Sequence, residues 1–189
     1  MIRSLKSRLL TLPLRNNKGG IMIEFGFAMP VLILLLLGGV ELGRYVLLHQ
    51  KLDRTAMTVS DLVARVQSIS VEEIDTILTA ADLVMAPFAM ADRGTVFISS
   101  VEGTTGTPKV RWQRNGAGTL VVTSEVGAEG ANANISDPNL VSTTQGVIIG
   151  ETYFEYSPWF IDLIPSTTIR HIAVFRPRLS GVVLCVDCP

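Results

Sequence analysis

The stretch Lys18-Gly19-Gly20-Ile21-Met22-Ile23-Glu24-Phe25 runs without a break into an uncharged apolar block at residues 26–40. The sequence therefore contains, in this order, a basic leader, a glycine pair, a single acid and a run of residues hydrophobic enough to span a membrane. A cytosolic globular domain has no need of such an arrangement. The pattern predicts a membrane-delivered protein whose leader, residues 1–19, is removed.

Charge is distributed unevenly along the chain. Residues 1–19 contain no acid and carry five of the sixteen basic residues, which leaves eleven basic against seventeen acidic residues and a net charge of −6 for the remainder. A domain that binds a polyanion is expected to be basic, so nucleic acid is excluded as a partner. A basic leader before an apolar segment predicts a cytoplasmic N-terminus and an outer domain on the far side of the membrane. The five basic residues are Arg3, Lys6, Arg8, Arg15 and Lys18.

The apolar block predicts a membrane helix that continues beyond the membrane. With its flanks it reaches the roughly 20 residues that a bilayer requires, and we assign residues 20–48 to a transmembrane helix. Apolar residues then recur in alternating steps of four and three, typical of one helix face, at Leu52, Ala56, Val59, Val63 and Val66. We therefore predict one helix over residues 20–67, kinked at Pro30. A cleaved signal peptide is the alternative, but no small-x-small site follows the apolar run and a signal peptide would not continue as an amphipathic helix.

Glu24 requires an explanation because a carboxylate in the hydrocarbon costs about 2.5–3.5 kcal/mol on insertion scales and is expected to have a partner. A cut between Gly19 and Gly20 would create a new amino terminus four residues before Glu24. That amine, on a neighbouring copy, would be a natural counter-charge. The alternative is that Glu24 lies in water at the headgroup boundary.

The later chain predicts a helical region at residues 49–93 and an antiparallel β region at residues 94–189. Ser70 and Glu73 form a capping box before a second amphipathic helix that ends ahead of Pro87. Period-two segments predict a meander of strands with one face packed on the helices. The Ala/Asn/Gly/Ser/Thr-rich segment 127–146 predicts an exposed, flexible loop. The predicted strands are residues 95–101, 109–113, 119–123, 147–156, 169–175 and 181–186.

No motif indicates an enzyme. The two histidines, His49 and His171, are far apart in sequence, and we predict no catalytic residue, metal site or cofactor. Glu151 and Glu155 are interpreted as a solvated face. A dense aromatic group is interpreted as core packing, with a carbohydrate or partner platform as the alternative; it comprises Tyr153, Phe154, Tyr156, Trp159 and Phe160.

Cys185 and Cys188 form a Cys-x-x-Cys at the C-terminal end. One pair supplies only half the ligands of a structural zinc site. Outside the inner membrane the cysteines should be oxidised, which favours a local disulfide over free or intermolecular thiols.

The motif around the glycine pair resembles that of a known family. Residues 19–25, followed by Ala28-Met29-Pro30, the leucine block and Gly39-Val40-Glu41-Leu42-Gly43-Arg44, resemble the TadE/TadF-like pilus assembly proteins of the tight-adherence system. Members look like pseudopilins, in which a prepilin peptidase cleaves after a glycine and leaves glutamate at the fifth mature position, followed by an aromatic residue. Counted from Gly20, Glu24 is fifth and Phe25 sixth.

The resemblance implies a fold, a function and partners. The fold is α+β, with a long N-terminal transmembrane helix continuing into a pilin-like outer domain that holds a second helix and an antiparallel sheet. The function is that of a minor pilin or assembly factor in the inner membrane. Its partners are prepilin peptidase, pilus subunits and other pseudopilins, the secretion platform with its ATPase, and the lipid bilayer. We expect Glu24 and Phe25 to set the subunit register. The spacing of Gly39 and Gly43 would allow close helix packing, with an ordinary occurrence of small residues as the alternative. The alternative is an uncleaved single-pass protein with a ligand-binding or adhesive outer domain.

Overall fold

A computed structural model describes residues 18–103, 107–137, 140–160, 162 and 164–188. Residues 1–17, which hold most of the predicted leader, lie outside the described residues. The described chain contains a long helix, a second helix and an antiparallel four-stranded sheet, so the predicted α+β class is confirmed.

Helix α1 spans Lys18–Ala64, 47 residues with Pro30 inside, and its two halves have different surroundings. The side chains of residues 19–36 are all exposed. From Glu41 onward one face is buried against the rest of the chain. The stripe predicted from the sequence is confirmed at Leu52, Ala56, Val59 and Val63, each at most 1% exposed.

Two shorter helices follow. Strand β1, Ser68–Ile69, precedes α2, Val71–Met85, and the capping box between Ser70 and Glu73 is formed as predicted. The buried residues of α2 recur with helical spacing at Ile74, Leu78, Ala81 and Met85. A single turn, α3 at Met90–Arg93, leads into the sheet.

The sheet consists of β2 (Gly94–Glu102), β3 (Lys109–Gly116), β4 (Val147–Tyr156) and β5 (Thr167–Phe175) in the order β3-β2-β4-β5. All three pairings are antiparallel. The predicted meander is wrong, because β4 pairs with β2 instead of β3. The connection at residues 117–146 is long enough to cross the sheet, and buried side chains of this connection pack on its outer face.

Two further strand predictions are corrected. Residues 119–123 form no strand: the Thr119 and Leu120 amides donate to the carbonyls of Ala91 and Gly94, which folds the segment over the start of β2. The last predicted strand is reduced to β6, Leu184–Cys185. It pairs in parallel with β1 beside the end of α1 and does not join the main sheet.

Two hydrophobic clusters lie on opposite faces of the sheet. The larger joins α1 and α2 to the inner face and includes Leu48, Leu52 and Tyr156. The smaller lies on the outer face and includes Ala133 and Val141, which are buried although they belong to the segment predicted as an exposed loop. That segment also bonds to the β3 edge, since the Val110 amide donates to the Ala131 carbonyl at 3.0 Å and the Gly130 amide to the Val110 carbonyl at 2.8 Å.

Candidate functional site

The residues singled out around the glycine pair lie on the exposed first half of α1. Gly19 and Gly20 are in its first turn, and Phe25 is 58% exposed. Glu24 makes no hydrogen bond or ion pair with any described residue. Helix α1 is long and apolar enough to cross a membrane.

Gly39 and Gly43 lie one helical turn apart on an open surface of the same helix. Apart from the adjoining backbone of α1 itself, a methyl group built at either position meets no described atom within 4 Å. Their surface is therefore open to close approach by another helix.

The part of α1 that packs on the rest of the chain begins at Glu41, whose side chain is fully buried. The Tyr156 hydroxyl donates to one carboxylate oxygen, and the Trp159 and Phe160 amides donate to the other at 3.0 and 3.3 Å. Three donors from the end of β4 and the following loop thus converge on a single acid of α1. Burial, first, and the Glu41 carboxylate together raise the pKa of the Tyr156 hydroxyl to about 12.

Arg44 completes this junction one turn along α1. Its guanidinium lies 3.9 Å from the Trp159 ring centroid and donates to the Ser157 carbonyl at 3.1 Å. Arg93, at the end of α3, donates to the Ser157 hydroxyl at 2.6 Å. The loop at residues 157–160 is therefore tied to α1 and α3 by directed hydrogen bonds, and we call this set the Glu41 junction.

The two histidines meet where α1 packs on β5. His49 Nδ1 lies 2.9 Å from His171 Nε2 on β5, and His171 Nδ1 lies 3.8 Å from an Asp53 carboxylate oxygen. Burial lowers the pKa of His49, and the positive charge of a protonated His171 lowers it further. Within the described residues, no cluster of three or more His, Cys, Asp or Glu side chains could hold a metal ion.

A second buried acid overturns the interpretation of β4 as carrying a solvated face. Glu151 is fully buried on the outer face, where it accepts from Tyr153 at 2.9 Å and from Arg170 at 2.7 Å. Ser124 also donates to it, and the Glu125 amide does so at 3.2 Å. Glu155 is exposed as predicted. The error arose because the segment that covers this face comes from the long connection, whose path the strand pattern does not contain.

The remaining candidates divide between core and surface. Tyr153, Phe154 and Tyr156 are buried, whereas Trp159 is 67% and Phe160 54% exposed. The aromatic group is therefore part core and part surface. Cys185 and Cys188 form a disulfide beside the β1–β6 pairing.

The transmembrane helix predicted at residues 20–48 contains Glu41 and ends just before His49, and the sequence pattern did not pair either residue. Their partners, Tyr156 and His171, are more than 100 residues away. The only local signal for the Glu41 junction was the spacing of Glu41, which lies on the same face of α1 as the apolar residues Leu48 and Leu52.

Comparison with known proteins finds a similarity over the first part of this site. No curated protein and no solved structure matches the chain. A family model described as TadE-like protein matches residues 19–60. These residues run from the glycine pair to the last turn of α1. The predicted resemblance to the TadE/TadF-like pilus assembly proteins is thus confirmed over this helix.

Proposed function

We propose that the protein is a pseudopilin-like minor pilin or assembly factor of a tight-adherence pilus, processed by prepilin peptidase between Gly19 and Gly20. The observation that carries the proposal is the TadE-like match at residues 19–60. It covers both the exposed apolar half of α1 and the half that packs on the outer domain. TadE-like proteins are a pilus structural and assembly family, not an enzyme family, so the protein acts through its contacts.

The membrane segment in this proposal is residues 20–40, shorter than the 20–48 expected from hydropathy. Burial of Glu41 and Leu48 against the outer domain supports the shorter boundary, because both side chains are occupied by protein. At 1.5 Å per residue, residues 20–40 extend about 31 Å, close to the thickness of a hydrocarbon core. The basic leader keeps the N-terminus cytoplasmic and places the outer domain across the inner membrane.

Glu24 is proposed to set the register between subunits. It lies within the membrane segment and has no partner among the described residues. After cleavage the amino group of Gly20 on a neighbouring subunit supplies a positive charge. Phe25 packs beside this pair, and Gly39 with Gly43 admits the neighbouring helix.

The partners follow from this mechanism. Prepilin peptidase removes the leader, other pilus subunits and pseudopilins pair with α1, and the inner-membrane platform with its ATPase drives assembly. The lipid bilayer holds the protein until it enters an assembly.

N-terminal sequencing of membrane-extracted protein, made with and without prepilin peptidase, tests the proposal. We expect a mature protein that begins at Gly20 only when the peptidase is present. A protein that begins at Met1 in both cases would remove the pseudopilin mechanism and favour the uncleaved single-pass alternative. A protein that begins after Val40 would indicate a signal peptide.

A further inference from the structure

We propose that the loop at residues 157–160 is a second membrane contact, in which Trp159 and Phe160 insert into the headgroup region of the bilayer that α1 crosses. The partner of this surface is lipid. The inference rests on the proposed membrane segment, residues 20–40. It adds a second contact with the membrane, made by residues more than 100 positions later in the chain.

The depth of the loop follows from its bonds to Glu41. The Trp159 and Phe160 amides donate to this carboxylate at 3.0 and 3.3 Å. Glu41 directly follows Val40, so it lies about 1.5 Å farther along the helix axis than the last residue of the segment. The two rings are therefore held near the level at which the hydrocarbon ends.

The exposure of the two rings does not come from a loose loop. Glu41, Arg44 and Arg93 all bond to residues 157–160, yet Trp159 is 67% and Phe160 54% exposed. The other tryptophan, Trp112, is 2% exposed. A fixed loop that presents two large aromatic side chains keeps an apolar surface open, which indicates a binding surface.

Lipid fits this surface better than a protein groove would. Tryptophan is enriched at membrane interfaces because its ring is apolar while its N–H prefers a polar environment. The Arg44 guanidinium under the Trp159 ring, 3.9 Å from its centroid, places a cation at the level of the lipid phosphates. The apolar surface also continues into the membrane segment through Val40, which is 49% exposed.

The test measures tryptophan fluorescence of the full chain in vesicles that contain lipids brominated either close to the headgroup or at the bilayer centre. Trp159→Phe leaves only buried Trp112 as emitter. A matched control, Trp159→Phe/Leu179→Trp, moves the exposed tryptophan to a position that is 62% exposed near the end of α1. That end lies about 36 Å beyond Val40 along the helix. Flotation of the vesicles first shows whether each protein is inserted.

We expect all three proteins to float, and only the wild type to show an emission that shallow bromines quench more strongly than deep ones. The inference is overturned if the wild type is quenched no more than the control, which would leave the surface to a protein partner. Stronger quenching from the bilayer centre would overturn it as well. Failure of the proteins to float would instead overturn the membrane segment, and with it both proposals.

Discussion

Glu24 and Glu41 are two carboxylates on the same helix in opposite surroundings. Glu41 receives hydrogen bonds from Tyr156, Trp159 and Phe160 within its own chain. Glu24 has no described partner. In the proposed membrane segment Glu24 would be an ionised group in the hydrocarbon, which requires a counter-charge, and the proposal takes that charge from a neighbouring subunit.

For Glu24 we predict that Glu24→Ala is cleaved normally but fails to support pilus assembly. The substitution removes the charge that would pair with a neighbouring amino terminus and leaves the glycine pair unchanged. Processing is read from the size of the membrane-extracted protein, and assembly from pili sheared from cells. Glu155→Ala, on an exposed strand position, is the control. Normal piliation by Glu24→Ala would disprove the pairing.

For Glu41 we predict that Glu41→Gln destabilises the outer domain by about 2–3 kcal/mol, because buried hydrogen bonds to a charged group are the strong ones and the new amide turns an N–H₂ toward existing donors. Urea unfolding in detergent, followed by near-ultraviolet circular dichroism, measures the change. Glu155→Gln should alter the free energy of unfolding by less than about 0.5 kcal/mol. Equal effects at the two positions would contradict the role of the Glu41 junction.

At the level of elements, α1 and β4 approach closely at Gly150. A methyl group built there would lie 2.2 Å from Ser60 Oγ and 3.0 Å from the Ala56 carbonyl oxygen. The Thr152 hydroxyl donates to the Leu52 carbonyl at 3.1 Å, which fixes the same contact. The long helix and the sheet are therefore joined through small side chains and one directed hydrogen bond.

We predict that Gly150→Ala costs about 1–3 kcal/mol by overpacking this contact. The cost should fall in a Ser60→Ala background, where the nearest clashing atom is absent. Ser60 Oγ is buried without a hydrogen-bond partner, so Ser60→Ala alone should have little effect. Urea unfolding of the two single variants and the double variant gives the coupling energy. Purely additive effects would contradict the close approach.

The contact between α1 and β5 should depend on pH through His49. Because the folded pKa of His49 is lowered, the unfolded chain binds more protons, and stability falls as pH decreases. The contribution of His49 to the free energy of unfolding is therefore fully present above its unfolded pKa of about 6.5 and is lost progressively as the pH falls below that value. A protonated His49 would also lie next to His171, and Asp53, beside His171, would offset only part of the repulsion between two charged imidazole rings.

We therefore predict a lower unfolding temperature at pH 5 than at pH 7.5, with a smaller difference in His49→Gln. Thermal unfolding of both proteins across this range is the measurement. An identical pH dependence in the two proteins would show that His49 is not responsible.

Over the whole molecule, features with local causes could be predicted from the sequence and those with distant causes could not. The capping box of α2, the buried stripe of α1 and the four strands of the main sheet, each within three residues, follow from periodicity and caps. Three other features depend on the paths of the 117–146 connection and of the strands through the fold. They are the pairing of β4 with β2, the burial of Glu151 and the contact between His49 and His171. Nothing in the neighbouring residues encodes those paths.

The orientation of the whole molecule gives a last prediction, with the Cys185–Cys188 disulfide as its reporter. The variant changes four basic residues of the leader to Gln. Of the basic leader residues only Lys18 then remains, whereas Arg44, Lys51 and Arg54 follow the membrane segment. Orientation follows the side with more basic residues near the helix ends, so part of the protein should invert. The four residues are Arg3, Lys6, Arg8 and Arg15.

Inverted molecules would hold the outer domain in the reducing cytoplasm, where disulfides are rare. In cells lysed into an alkylating reagent without reductant, we expect both cysteines to be alkylated in the inverted fraction and neither in the wild type. Exchanging the same four residues between Lys and Arg keeps the charge and should leave the cysteines protected. Near-complete alkylation of the wild type, or full protection of the Gln variant, would contradict the orientation that the leader predicts.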